Sequence, residues 1–144
     1  GYRWLAGNKI LNYAGSDPWS WLDANDLALV AAATLREAET YSGQTIQLGY
    51  DSKTFDEIAQ ILTEILGKPF YAEDCPRKEF LDNALKAGAE PAYMTCIYNQ
   101  FKLNVEGKIP NAGKTFDNFE AITGRKPITW REFITQHRNE LLNE

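Results

Sequence analysis

The chain has 144 residues, 44% of them hydrophobic and 24% charged, with a net charge of -5 at pH 7 and a pI near 5.0. One domain of this length can bury roughly two-thirds of its unfolded surface, while the acidic balance argues against a nucleic-acid partner, because Arg77 with Lys78 and Arg125 with Lys126 are pairs and not phosphate-facing stripes. The longest apolar run, Leu27 to Leu35, falls far short of the roughly 20 residues that cross a bilayer, so a soluble, cytoplasmic chain with no membrane partner is expected.

Tyr2 to Gly7 is aromatic without clear periodicity, and K-I-L-N-Y-A from Lys9 to Ala14 reads as a strand. Gly15 to Pro18 is turn chemistry, which predicts a hairpin from Ile10 to Leu22. Alternation in W-S-W puts Trp19 and Trp21 on one side of the second strand. Tyr2, Trp4, Tyr13, Trp19 and Trp21 then form an aromatic surface, either a pocket wall or a contact with another chain. Asp23, Asn25 and Asp26 suit the free amides of a helix start. That helix begins its first turn at Leu27, carries Leu27, Val30, Ala31, Thr34 and Leu35 on one face, and has alanines at 28, 31, 32 and 33 that favour burial against a sheet. It ends near Glu39 to Gly43.

Gln44 to Gly49 reads as a strand containing T-I-Q-L, and Tyr50 to Lys53 as a loop. Thr54 with Glu57 forms a capping box, opening a helix with Phe55, Ile58, Leu62, Ile65 and Leu66 on its buried face and Gly67 as its stop. Phe70 to Cys75 is a further strand. From Pro76 onward the pattern is helical. Phe80, Leu81, Ala84 and Leu85 mark one helix; Met94, Ile97, Tyr98 and Phe101 mark another that starts at Pro91 and stops at Gly107. Thr115 to Ile122 is a short helix, and Thr129 with Glu132 repeats the capping box before a last helix bearing Trp130, Phe133, Ile134, His137 and Leu141. The expected architecture is α/β in a single domain, 1–144. A strand and helix portion, 1–75, holds a hairpin plus one or two strands of parallel type; a helical lobe, 76–144, follows.

Cys75 and Cys96 have no C-x-x-C spacing and read as two reduced thiols in or near a core, although sequence leaves one bridge open. One histidine without a Cys/His pattern predicts no metal site. Tyr98 and Lys102 satisfy Y-x-x-x-K, a spacing that stacks a proton-donating tyrosine and a lysine on one helical face. The simpler reading is an inward tyrosine and a solvated lysine. His137, on the apolar stripe of the last helix, is a candidate general base or a satisfied rim histidine. Asp17, Asp23 and Asp26 are what capping alone selects. Glu73 and Asp74 sit at a strand end, where α/β folds face their ligand crevice. Neither G-x-G-x-x-G nor a Walker loop nor a G-x-S-x-G elbow occurs.

The succession W-L-D, A-N-D-L-A, T-I-Q-L and T-F-D-E-I-A-Q-I-L-T-E-I-L-G-K-P, with T-G-R-K-P-I-T-W-R-E-F near the end, resembles the C-terminal half of NmrA-like atypical short-chain dehydrogenase/reductases. It covers nearly the whole chain and omits the family's N-terminal nucleotide-binding half. In those enzymes the Y-x-x-x-K pair precedes segments that it follows here. The resemblance implies the substrate-binding part of an atypical Rossmann-type reductase, with Thr45 to Leu48 adding a strand to a parallel sheet completed elsewhere. It implies a pocket wall of Tyr13, Trp19 and Trp21 facing Met94, Tyr98 and Phe101, over a small apolar or aromatic substrate. No cofactor is expected on this chain alone; NAD(P)H is implied where a nucleotide-binding half is present, through a companion chain or a homodimer. Whether the chain is an enzyme stays open. The alternatives are a stand-alone ligand-binding or regulatory module, or a non-redox isomerase or cyclase using the same pocket.

Overall fold

Five short strands and eight helices are formed in the computed structural model, which describes residues 5–142. In order they are β1 (Leu5–Ala6), β2 (Lys9–Asn12), β3 (Trp19–Trp21), α1 (Ala24–Arg36), α2 (Ala38–Tyr41), β4 (Asp51–Lys53), α3 (Phe55–Leu66), β5 (Tyr71–Asp74), α4 (Arg77–Lys86), α5 (Pro91–Val105), α6 (Asn118–Thr123), α7 (Trp130–Gln136) and α8 (Arg138–Leu142). They make two small sheets. One has the order β1-β2-β5, with β1 and β2 an antiparallel hairpin and β2 and β5 parallel; the other is the antiparallel pair β3-β4. The α/β class with few strands and a helical C-terminal part stands as expected. Tyr2 and Trp4 lie outside the described residues.

The hairpin expected from Ile10 to Leu22 is not formed. Asn12 is the reason: its Oδ1 accepts the Ala14 N–H (3.0 Å) and its Nδ2 donates to the Gly15 carbonyl (3.0 Å), turning the chain out of the sheet after β2. Gly15 completes the exit with φ 88°, and a Cβ there would stand 2.8 Å from Val105 Cγ2. β3 therefore pairs with β4, Trp19 opposite Lys53 and Trp21 opposite Asp51. The T-I-Q-L stretch is not a strand, and residues 51–53, expected as loop, are. T-I-Q-L has strand propensity but no paired neighbour, and propensity without a ladder does not make a strand.

The most apolar helix is α3, which buries Phe55, Ile58, Ala59, Ile61, Leu62 and Leu66. Its capping box is formed at Thr54 and Glu57, and Gly67 ends it in the left-handed conformation at φ 74°. Around it gather Ile10 and the half-buried Ala72 from the sheet, Phe70 just before β5, Phe101 from α5 and the fully buried Ile134 from α7. Truncating a residue such as Ile134 to Ala removes roughly 2–5 kcal/mol of stability. The second capping box, Thr129 with Glu132, starts α7 as expected, but the last helix breaks at His137 and resumes as α8. The short helix expected over 115–122 is formed at Asn118–Thr123.

Helix α1 departs most from expectation. It begins at Ala24, three residues early, because Asp23 alone caps it by accepting the N–H of Asn25 and Asp26. Asp26 does not cap. It is buried, and its carboxylate binds Arg125 Nη2 (2.6 Å) and the Ile128 N–H (2.8 Å), about a hundred residues further on. Val30 is buried on the same side, while Leu27 and Leu35 are exposed. Helix α6 packs on the buried side through Phe119, whose ring lies under the Arg125 guanidinium. The alanine-rich helix is thus half covered, and no sheet among the described residues lies on it.

Asp26→Ala deletes the buried acceptor of a half-buried backbone N–H and of a half-exposed guanidinium, so it is expected to cost about 2–3 kcal/mol. Asp26→Asn, which keeps one acceptor, is expected to cost less. Urea unfolding with an unchanged m-value measures both; equal stability for all three proteins would refute the tie's role.

Candidate functional site

In parallel α/β sheets the carboxyl ends of strands open onto the ligand crevice. Here the chain leaving β2 brings Asn12, Tyr13 and Ala14 to that end, and the chain leaving β5 brings Asp74 and Cys75. The two exits are sewn together: Cys75 N–H donates to the Asn12 carbonyl (2.8 Å), and Asn12 Nδ2 donates to Asp74 Oδ1 (2.7 Å). From above, the buried Asn104 of α5 donates to the Ala14 carbonyl (3.1 Å). Glu73 is paired with Lys9 at 2.5 Å, so both carboxylates expected at this strand end are engaged.

Over this end lies a continuous row of aromatic rings. Tyr13 stacks on Phe101 (6.5 Å between centroids, 19° between planes) and meets Phe80 at 5.5 Å. Phe101 meets Trp19 edge-on at 6.5 Å, Trp19 neighbours Trp21 at 6.5 Å, and Trp21 meets Trp130 edge-on at 5.4 Å. Edge-to-face and offset contacts of this kind are worth about 0.5–1.5 kcal/mol each beyond burial. Of the expected wall, Tyr13, Trp19, Trp21 and Phe101 are therefore brought together. They are core-packed, not a free aromatic surface: Tyr13 and Phe101 are buried and both indoles half-buried. Met94 is buried on α5, outside the main core cluster, and Tyr98 is half-buried on the same helix.

Phe80, Phe55 and Trp130 were read from the sequence only as helix positions, and their spacing alone could not show that α3 and α7 converge on Trp21 while α4 meets Tyr13 and Phe101. The indole N–H groups make the row chemically uneven. Trp21 Nε1 donates to the Lys53 carbonyl (3.2 Å), whereas Trp19 Nε1 and Trp130 Nε1 are buried with no acceptor among the described residues. A buried donor left unpaired costs about 1–3 kcal/mol. Such a group is satisfied by water or by a ligand's acceptor.

No hydrogen bond or ion pair joins Tyr98 to the exposed Lys102 among the described residues. His137 caps the end of α7, shares a hydrogen bond with Glu140 (2.9 Å) and lies on the Phe133 ring at 4.5 Å. It stands at the far helix pair, on none of the elements that carry the β2–β5 end. Asp23 is engaged in capping and Asp26 in its buried tie. Cys75 and Cys96 are both free, Cys75 half-buried beside Tyr13 and Cys96 exposed on α5, not in the core as expected. No cluster of three or more potential metal ligands occurs among the described residues. The described helix starts are not free phosphate seats either. A carboxylate at a helix start competes with a phosphate for the same amides, and every described helix carries an acidic residue in its first turn or, in α5, at its N-cap Glu90.

No family model matches the sequence. Among curated proteins, festuclavine synthase II of Penicillium roqueforti (strain FM164) is 24% identical over 105 residues, which are 72% of this chain and 37% of that protein. Triphenylmethane reductase of Citrobacter sp., solved in complex with NADP(H), matches with a TM-score of 0.70 and 28% identity over 90% of this chain and 44% of its own. An NADPH-dependent quinone oxidoreductase of Escherichia coli matches with a TM-score of 0.73 and 18% identity, over 92% and 47% of the two chains, and shows a shared fold. The chain thus shares the fold of the matched part of these NAD(P)H-dependent reductases, in line with the motifs that carry the NmrA-like resemblance, and it spans less than half the length of these relatives. Among the described residues no helix is long and apolar enough to cross a membrane.

The β2–β5 end also has a pH signature. Burial, first, and then the neighbouring Cys75 and Glu79 push the Tyr13 hydroxyl above its ordinary 10.0. Burial, then Glu73 and Glu79, push the Cys75 thiol above its ordinary 9.0, against a smaller lowering by Tyr13. Both groups hold their protons more tightly folded than unfolded, so their contribution is whole below the unfolded values and is lost as pH rises through the folded ones. The urea midpoint is expected to fall on going above about pH 9, and Tyr13→Phe with Cys75→Ala is expected to flatten that fall. A fall of the same depth in the double variant would show that the loss arises elsewhere.

Proposed function

We propose that this chain is the substrate-binding portion of an NAD(P)H-dependent oxidoreductase acting on a small apolar or aromatic substrate. The observation that carries the reading is the buried, unpaired Trp19 Nε1 within the aromatic row above the β2–β5 end. Stacking of Tyr13, Phe101 and Trp19 suits a flat apolar body, and a donor N–H among the rings suits a single acceptor on it. Among the described residues Tyr98 makes no ring contact in the row, and His137 joins it only at the far end, through Phe133 and Trp130, so recognition beside Tyr13 and Trp19 would be stacking, desolvation and one hydrogen bond. The likeness to triphenylmethane reductase supports a reductive role for the assembled protein. The acidic helix starts favour a dinucleotide seat outside this chain's own described residues.

Tryptophan fluorescence tests this directly. Titrating the chain with crystal violet, a triphenylmethane dye used as an apolar probe, is expected to give saturable quenching. Trp19→Phe keeps a ring and removes the donor, so binding of an acceptor-bearing aromatic ketone such as benzophenone is expected to weaken by roughly twofold to tenfold, the worth of one hydrogen bond. NADPH alone is expected to give no saturable quench. Dye quenching absent, or indifference of ketone binding to Trp19→Phe, would remove the recognition mode; tight NADPH binding by the chain alone would remove the assignment of the cofactor elsewhere.

A further inference from the structure

An ion pair shares the face of the β3–β4 sheet that carries the indoles. Trp19 stands opposite Lys53, and Trp21 opposite Asp51. Directly opposed residues of an antiparallel pair send their side chains to the same face, with Cβ atoms about 4.5–5.5 Å apart. Trp19, Trp21, Asp51 and Lys53 therefore lie on one face. Ser20 and Ser52 take the other, where Ser52 Oγ donates to the Gly113 carbonyl (2.8 Å).

Lys53 Nζ donates to Asp51 Oδ1 (2.6 Å) and to the Ser52 carbonyl (3.2 Å), and its third proton has no acceptor among the described residues. Of the ion pairs among these residues it is the one in which both side chains keep less than a third of their accessibility, 28% for Lys53 and 12% for Asp51. Asp51 is fixed from a second side, its Oδ2 accepting the Trp130 N–H (2.7 Å). Across the ladder from Trp19, the ammonium adds a charged donor to the unpaired Trp19 Nε1. Around it the carboxylates prevail, because Glu132 of α7 lies within electrostatic reach of Asp51.

We infer that Lys53 is a specificity-determining residue of the proposed site: with Trp19 Nε1 it offers two donors to one neutral oxygen of an aromatic ligand, and an aryl carbonyl is the class that fits. The class follows from charge and from donor count. A carboxylate on the ligand would approach Asp51, 2.6 Å from the same ammonium, and meet its repulsion. A hydrocarbon would leave both donors without an acceptor in a covered place. A carbonyl oxygen has two lone pairs and no net charge, so it takes both donors while Asp51 keeps its own bond to the ammonium. The inference rests on the proposed function, since it needs the aromatic body of the ligand to lie in the ring row.

The test compares three probes that carry the same two rings: benzophenone, diphenylmethane without the oxygen, and diphenylacetate with a carboxylate. Binding to the full chain is read by tryptophan fluorescence, and benzophenone is expected to bind about tenfold or more tightly than either of the others. Lys53→Met keeps the stem and removes the ammonium, and is expected to cut the advantage of benzophenone over diphenylmethane by about tenfold; Lys53→Arg is expected to retain most of it. The bond from Trp21 Nε1 to the carbonyl of residue 53 is a backbone contact that both variants keep. The infrared carbonyl stretch of bound benzophenone, lowered by its donors, is expected to rise in Lys53→Met, which a change of packing alone would not produce. Asp51→Asn keeps an acceptor for the Trp130 N–H and is expected to reduce the discrimination against diphenylacetate by about tenfold. An advantage over diphenylmethane that survives Lys53→Met, or a carbonyl stretch that this substitution leaves in place, overturns the inference. Loss of the advantage in Lys53→Met but not in Trp19→Phe leaves Lys53 standing and removes the indole recognition proposed above; the converse pattern removes Lys53 and leaves that recognition, and binding of none of the three probes removes both.

Discussion

The indole of Trp21 is the point at which three separate stretches of the chain are held in one register. It meets Trp19 on its own strand, Phe55 of α3 edge-on at 5.8 Å and Trp130 of α7 edge-on at 5.4 Å, and its N–H donates to the Lys53 carbonyl. The backbone does the same work, since the Trp21 carbonyl accepts the Tyr50 N–H (3.0 Å) and so positions β4. β4 in turn places Thr54, which caps α3, and Asp51, whose Oδ2 accepts the Trp130 N–H (2.7 Å) at the start of α7. Alternation in a three-residue strand is thus what lets one side chain choose the orientation of two helices.

Where no ladder exists, short polar side chains replace it. Asn12 links the two strand exits, Asn104 ties α5 to the Ala14 carbonyl, and Asp26 joins α1 to the segment after α6. Each is buried, and each takes a backbone group that an irregular segment would otherwise leave unpaired, which is the condition for burying such segments at all. The division is consistent: rings supply the attraction between elements, and amides and carboxylates decide where loops cross it.

That division also explains what the sequence disclosed. α3 and α7 were legible because a capping box is local chemistry, complete within four residues, and the apolar faces of α3 and α5 follow a helical period. Strand existence was legible for 9–12, 19–21 and 71–74. Strand pairing was not, because the signal that breaks the expected hairpin is the side chain of Asn12, which reads as an ordinary strand residue. Asp26 misled for the same reason: one place past a good cap, it resembles a second cap, and only Arg125 and Ile128 reveal its use. Of the wall residues, those on β3 and beside β2 were found together with Phe101. Met94, read from its period on α5, is buried but lies outside the main core cluster that holds the other wall residues.

The aromatic row carries a contrast that packing alone does not account for. Three indoles stand in it under similar burial, and one of them, Trp21, has its N–H satisfied by a strand carbonyl, while those of Trp19 and Trp130 find no acceptor among the described residues. A row selected only as core would favour Phe at the two unpaired positions, because a phenyl ring keeps the stacking and avoids an unsatisfied donor. The two unpaired donors thus mark where the row departs from simple core packing. Around Trp19 the lining is apolar, with Phe101 edge-on beside it and Tyr13 stacked on Phe101 beyond, and on this contrast between apolar walls and a free donor rests the proposed recognition of an apolar body with one acceptor.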